Sequence, residues 1–162
     1  MKANETKVDK FLATNETTFA IPVYQRNYDW TLFQCKQLLH DIIETGKNDK
    51  TNAHFIGSIV YVHDDVYTAS GLTELTIIDG QQRLTTITLI YIALYRLAKE
   101  LDNQMLVNRI QKTYLINEFA PEEEKLKLKP TENNKEALRH ILNSADGEEF
   151  KGYSKIIENF DY

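Results

Sequence analysis

The chain carries a single cysteine, Cys35, among its 162 residues. One thiol closes no internal disulfide and builds no metal cluster. Cys35 falls among Leu32, Leu38, Leu39 and Ile42 at helical spacing, which assigns it to a packed face rather than to nucleophilic chemistry. The histidines His40, His54, His63 and His140 are scattered without metal-ligand spacing. No apolar run reaches the ~18 residues of a membrane span. Met1-Lys2-Ala3-Asn4-Glu5-Thr6 has no hydrophobic segment of signal-peptide type, so a cytoplasmic location with no membrane contact is expected. The Asn-x-Thr triplets at Asn4 and Asn15 are then chance matches. Positive charge is also short: 19 Lys and Arg face 24 Asp and Glu, a net charge of −5. That balance argues against tight non-specific nucleic-acid binding by the whole chain and leaves room only for a local basic cleft. There is no internal repeat, no low-complexity tract, no Ser/His/Asp grouping, no Walker-type loop and no His-Glu-x-x-His.

What is present is an ordinary globular composition, 42% apolar and 27% charged, in a chain long enough for a real core. Residues 7–13, with Val8, Phe11 and Leu12, read as a short amphipathic turn. Thr17 to Ile21 reads as a strand halted by Pro22. Thr31 is a plausible N-cap for a helix to about Gly46 whose apolar positions, Leu32, Cys35, Leu38, Leu39, Ile42 and Ile43, share one face. A polar loop follows to Ala53. His54 to Val62 reads as a strand with Gly57 in its middle, a position that marks a bulge or a close approach. Asp64 to Leu72 is expected to be a hairpin loop leading into a strand at Glu74–Ile78.

A helix from Gly80 to Leu101, apolar on most faces, is predicted to be central and buried. Another is predicted over 103–118, with Met105, Leu106, Ile110 and Leu115 inward. Glu122-Glu123-Glu124 reads as a solvated corner, Lys125 to Leu128 as a short strand, and 131–143 and 153–160 as helices. Tyr153, Ile156, Ile157 and Phe160 form an apolar stripe close to the last residue. The expectation is a fragment of a longer protein whose missing part covers that stripe; the alternative is a helix docked on the first domain.

Two stretches invite a chemical reading. Ile77-Ile78-Asp79-Gly80-Gln81-Gln82-Arg83-Leu84-Thr85-Thr86 runs from a strand through an Asp-Gly corner into the long helix. A helix start there aims free N–H groups and a positive dipole end at one point, a geometry that favours phosphate. Gly80 permits the sharp turn, and Arg83 offers a forked, permanent cation. Asp79-x-x-Gln82 is also a capping box, so a plain cap and a cap with an anion site both stand. The second stretch, Ile21-Pro22-Val23-Tyr24-Gln25-Arg26-Asn27-Tyr28-Asp29-Trp30, is irregular and rich in aromatics and Arg. Such loops are usually binding surfaces on a rigid scaffold, although Tyr28 and Trp30 also suit a core plug.

Together with Phe55-Ile56-Gly57-Ser58-Ile59-Val60, these segments resemble the N-terminal domain of the GmrSD family. Its members are modification-dependent (type IV) restriction proteins, with relatives in phage defence. The resemblance covers about residues 5–102. It implies an α+β fold of the ParB/sulfiredoxin-like superfamily: a small mixed sheet flanked by helices over residues 1–102, then a helical extension from 103 to 162.

The resemblance also implies binding and hydrolysis of a nucleoside triphosphate with Mg²⁺, coupled to DNA cleavage by a C-terminal nuclease domain or subunit of His-Asn-His type. Nothing in this chain corresponds to that nuclease. DNA is then a partner through the full-length protein, and a homodimer is one arrangement left open. Carried onto this sequence, Asp79 holds the metal or orients the attacking water. Gly80, Gln81, Gln82 and Thr85 contact phosphate, and Arg83 neutralises charge on the transferred group, so that Asp79, Gln82 and Arg83 are the catalytic set. Gln25 and Arg26 close the site, Tyr24 positions ribose or base, and Gly57 and Ser58 form the floor. With one carboxylate, slow turnover and a switching role are expected. A binding module without turnover and a nuclease of ParB type are the competing readings.

Overall fold

The computed structural model describes residues 2–50, 53–63, 71–143 and 148–161. Four strands, β1 (Thr17–Ala20), β2 (Val60–His63), β3 (Thr73–Asp79) and β4 (Leu128–Lys129), form one mixed sheet in the order β2-β3-β1-β4. β1 is parallel to both β3 and β4, and β2 is antiparallel to β3. Among the described residues there are six α-helices: α1 (Val8–Leu12), α2 (Leu32–Lys47), α3 (Gln81–Glu100), α4 (Gln104–Ile110), α5 (Glu132–Asn143) and α6 (Lys155–Asp161). This is the α+β arrangement that the sequence led us to expect.

β1 is one of the two inner strands, and all four of its residues are buried. Its β-branched Thr17 and Thr18 and its aromatic Phe19 suit a strand covered on both faces. The first half of α3 is buried all round: Leu84, Thr85, Thr86, Ile87, Thr88 and Leu89 are all inside. Three threonines are tolerated there because each hydroxyl donates back to the carbonyl four residues earlier: Thr85 to Gln81 (2.8 Å), Thr86 to Gln82 (2.9 Å) and Thr88 to Leu84 (3.0 Å).

Several expectations need correcting. α3 is not buried along its whole length. Past Leu89 only Ile92, Tyr95 and Ala98 are inside, while Leu94, Leu97 and Leu101 are open. The leucine content announced an apolar helix but could not say which neighbours exist to cover it. The helix over 103–118 is split into α4 and a π-helical turn, Gln111–Leu115. Met105 and Leu106 are exposed, and Val107 and Leu115 are the buried pair. In the wider turn Tyr114 stacks on Tyr91, with ring centroids 4.2 Å apart.

Only residues 60–63 of the stretch read as a strand from His54 join the sheet. Gly57 lies before it with φ +102°, a left-handed conformation that breaks a ladder. On α2, Leu38 alone is buried, whereas Leu39, Ile42 and Ile43 are exposed; the helix is peripheral rather than seated on the core by its whole apolar face. Its start is as read: Gln34 Oε1 accepts from the Thr31 N–H and hydroxyl, both at 2.6 Å. Most of the expected 64–72 hairpin loop, and residues 51 and 52 of the polar loop, lie outside the described residues.

The expected apolar stripe is covered within the chain along α6, while Tyr153 ahead of the helix is exposed. Ile156 is fully buried, and Ile157 and Phe160 pack on the core. Asn159 Nδ2 donates to the Trp30 carbonyl at 2.7 Å, tying α6 to the loop after β1.

A buried lysine joins the other side. Lys127 Nζ donates to the carbonyls of Leu12 (3.0 Å), Thr14 (2.9 Å) and Thr113 (2.8 Å). Three acceptors match the three N–H bonds of an ammonium. Burial pushes Lys127 down to about 8, which keeps it largely charged at neutral pH.

Candidate functional site

Two loops leave the carboxyl ends of adjacent parallel strands. β1 runs out through Pro22 to Trp30, and β3 runs through Gly80 into α3. β1 and β3 pair in parallel register from Thr17↔Thr73 to Ala20↔Thr76, so the two sequence motifs emerge at the same edge. This is where open α/β sheets habitually bind ligands.

The corner after β3 is built on Gly80. It has φ +94° and takes the N-cap position of α3, and no side chain caps the helix. Asp79 therefore stays one residue outside, as the exposed last residue of β3. The capping box expected of Asp79 and Gln82 does not form, because the glycine occupies the cap and Gln82 is engaged elsewhere. The first helical bond runs from Leu84 N–H to Gly80 O at 3.0 Å. The N–H groups of Gln81, Gln82 and Arg83 precede it and have no acceptor within the helix.

Arg83 turns back over this corner. Its Nη2 donates to the Ser58 carbonyl, and its Nε is buried with no partner among the described residues. The guanidinium lies against two glycines: a Cβ on Gly57 would sit 2.9 Å from Cζ and from Nη1, and a Cβ on Gly80 would sit 3.3 Å from Nη2. Residues 57 and 80 are thus glycine for space as well as for backbone conformation. Ser58 contributes its carbonyl to the floor of the site.

Gln82 is buried and clamps the other loop. Its Oε1 accepts from Asp29 N–H (3.0 Å), and its Nε2 donates to Asn27 O (3.1 Å). Both ends of the amide are committed to main chain, so the side chain holds the Asn27–Asp29 turn against the helix mouth. Asn27 is fixed in turn by the Thr131 hydroxyl, 2.8 Å from its Oδ1.

Gln81 and Gln25 form a second amide relay. Gln81 Nε2 donates to Gln25 Oε1 (3.2 Å), and Gln25 Nε2 donates to Ile78 O (3.0 Å). Val60 pairs with Asp79 and Tyr61 with Ile77, so Ile78 is the extra residue of a β-bulge. The bulge interrupts the ladder at Ile78, the residue whose carbonyl Gln25 reaches.

The remaining predicted residues divide. Tyr24 is exposed beside Val23. Arg26 is exposed and meets Asp29 at 3.4 Å; it is not drawn to the Arg83 corner as Gln25 is. The Thr85 hydroxyl is satisfied inside α3. Tyr28 is buried beneath the loop, with its phenol 2.8 Å from Thr86 Oγ1 and 3.2 Å from Cys35 Sγ. Burial, with the Cys35 contact, pushes this phenol well above the usual tyrosine range. Cys35 is accordingly a packing partner, as its helical spacing suggested. Asn27, Asp29, Thr131 and Asn159 support the site through partners far away in sequence, a property that no local pattern reveals.

The groups at the corner are mostly hydrogen-bond donors, a chemistry that suits an anion. First-turn N–H groups without an acceptor in the helix, a helix start without a side-chain cap and an arginine whose Nε has no partner among the described residues lie close to Gly80. Asp79 is the nearest carboxylate in sequence, and the described residues contain no group of three or more His, Cys, Asp and Glu placed to hold a metal. A cavity of about 60 Å³ lined by Thr18, Leu72, Glu74, Leu128, Lys129 and Pro130 lies elsewhere, beside the amino-terminal ends of β1 and β3. It does not touch the corner.

Compared with known families, residues 8–162 match the GmrSD restriction endonuclease, N-terminal domain. No curated protein matches the chain. No helix among the described residues is long and apolar enough to cross a membrane.

Proposed function

This chain belongs to the GmrSD restriction endonuclease N-terminal domain family, and we propose that within it the chain binds the phosphates of a nucleoside triphosphate at the mouth of α3. The observation that carries this reading is Arg83. Its half-buried guanidinium is held in a two-glycine slot at a helix start without a side-chain cap, with one donor on Ser58 O and a buried Nε that has no acceptor among the described residues. A phosphate oxygen is the ligand such donors suit.

The parallel β1 and β3, delivering a Gly-x-x-Arg turn from Gly80 to Arg83, support a ParB-like reading of the sheet. In this reading Gly80, Gln81 and Arg83 contact phosphate, and Gln25 supports Gln81 from the facing loop. Gln82 acts by fixing that loop.

A lone exposed carboxylate does not build a metal site by itself. It does fit a Mg²⁺ that arrives on the phosphates, since Mg²⁺ is commonly held by one or two carboxylates plus substrate oxygens. Asp79 would then be its protein ligand, and the ion would neutralise phosphate charge. The protein's own part is to hold the phosphates against the α3 dipole and Arg83 while water is oriented from the Asp79 side. Slow hydrolysis is the expected output. It would serve as a regulatory step of a DNA-restricting, phage-defence protein acting in the cytoplasm, with cleavage carried by another domain or subunit.

A second reading, nucleotide sensing without turnover, gains from the commitment of Gln82 to main chain, which leaves Asp79 and Arg83 as the reactive groups. Thermal-shift measurements with ATP, GTP, CTP and UTP, with and without Mg²⁺, test the site. A rise in Tm with at least one nucleotide, lost in Arg83→Gln, supports it by mass action. No rise with any, or a rise untouched by Arg83→Gln, overturns it. Multiple-turnover phosphate release then separates hydrolysis from sensing.

A further inference from the structure

We infer that Asn159 on α6 is a positioning residue for the α3 mouth, and that phosphate binding there and docking of α6 strengthen each other. The inference rests on the phosphate reading above and gives that site a regulator, the docked position of α6.

Two hydrogen-bond routes lead from Asn159 to Gln82, in the first turn of α3. The first runs through side chains, and its direction is forced. The Thr86 hydroxyl has one proton, which goes to the Gln82 carbonyl at 2.9 Å. The Tyr28 phenol, 2.8 Å from the same hydroxyl oxygen, is therefore the donor to Thr86. The phenolic oxygen is left to accept from Asn159 Nδ2 at 3.4 Å. The second route runs through main chain. The other Nδ2 proton goes to the Trp30 carbonyl at 2.7 Å. Trp30 ends the loop whose Asp29 N–H and Asn27 O hold the Gln82 side chain. Asn159 thus reaches Gln82 at its carbonyl by one route and at its amide by the other.

The Asn159 amide cannot be turned over, because an oxygen in place of Nδ2 would face the Trp30 carbonyl. Its Oδ1 is buried with no partner among the described residues, so this orientation holds even though it leaves one acceptor unmet. α6 has seven residues, too few for a stable isolated helix, and its order comes from docking. Hydrogen bonds in such a chain strengthen together. By linkage, a phosphate that steadies the first turn of α3 steadies α6, and docking of α6 tightens the phosphate site by the same factor.

Amide hydrogen exchange in α6, measured on this chain with and without saturating ATP, GTP, CTP or UTP and Mg²⁺, tests it beside the nucleotide Kd. Nucleotide should slow exchange in wild-type α6 by about fivefold, and Arg83→Gln should abolish the effect. Asn159→Asp sets a carboxylate oxygen against the Trp30 carbonyl and competes for the phenol proton that goes to Thr86. It should weaken nucleotide binding by about fivefold and remove the nucleotide's effect on α6. Tyr28→Phe keeps the ring and cuts the side-chain route alone, so both effects should fall part-way; it decides the matter should Asn159→Asp fail to fold. A purely structural Asn159 would lower Tm without moving Kd or the nucleotide-dependent exchange. Arg83-dependent binding with unchanged α6 exchange, or a Kd untouched by these variants, overturns the inference and leaves the phosphate site standing. No binding of any nucleotide by the wild type overturns both.

Discussion

A Cβ placed on Gly57 would lie 2.9 Å from the Cζ of Arg83, so the residue at position 57 determines where the arginine of the α3 mouth can rest. The two are 26 positions apart in sequence (83 − 57). Gly57 opens the slot, the neighbouring Ser58 carbonyl fixes the guanidinium within it, and Gly80 closes the other side.

Gly57→Ala is expected to disturb this pair in two ways. At φ +102° an alanine is strained by about 1–2 kcal/mol, and its methyl group displaces the guanidinium. Tm should fall modestly, and nucleotide affinity should fall by at least about tenfold, because the displaced arginine no longer faces the α3 mouth. Titration calorimetry alongside a melting curve checks both. Affinity equal to wild type would show that Arg83 need not sit in this slot.

Arg83→Lys keeps the charge and removes the fork. One ammonium cannot hold Ser58 O and present a second, fixed donor in the same plane. The expected result is a loss of nucleotide affinity nearly as large as for Arg83→Gln, with a stability change of about 1 kcal/mol or less. Thermal shifts of the two variants with saturating nucleotide decide this. Full function in Arg83→Lys would reduce the residue to a point charge.

Gln82→Ala is expected to act on the fold. It leaves Asp29 N–H and Asn27 O without their partner and should cost about 1–3 kcal/mol, measured as a shift in urea midpoint. Nucleotide binding should weaken only as far as the Asn27–Asp29 turn loosens. A stable variant that binds normally but releases no phosphate would give Gln82 a direct part in hydrolysis.

Lys127, Tyr28 and Tyr91 predict how stability depends on alkaline pH. Burial lowers Lys127 from 10.5 to about 8. Between those values the unfolded chain holds a proton that the native lysine has released, so stability rises with pH. Burial raises Tyr91 from 10.0 to about 12 and raises Tyr28 as well. Above pH 10 the unfolded phenols lose protons that the native ones keep, so stability falls. Urea midpoints at about pH 8, 9 and 10 should rise in the wild type and stay flat in Lys127→Met. A slope unchanged in Lys127→Met would assign it to other groups.

The local chemistry was legible in the chain. The Asp-Gly corner, the long apolar helix behind it, the glycine at 57 and the Thr31 cap are matters of backbone conformation and short-range periodicity, and those operate within a few residues. The sequence by itself therefore determined that a strand enters a helix at Gly80 with an arginine one turn in.

What only the tertiary structure decided is what each side chain meets. Asp79-x-x-Gln82 has the spacing of a capping box, yet Gly80 adopts the left-handed conformation and takes the cap itself. Gln82 is then free to hold Asn27 and Asp29, more than fifty positions away. Leu94 and Leu97 belong to the same apolar run as Leu84 and Leu89, but only the first half of α3 is covered. Lys127, between two leucines just ahead of β4, gave no local sign that three carbonyls from distant segments would receive its ammonium. Burial and hydrogen-bond partnership depend on which remote segments arrive, and parallel pairing of β1 with β3 is what brings the two motifs to one edge.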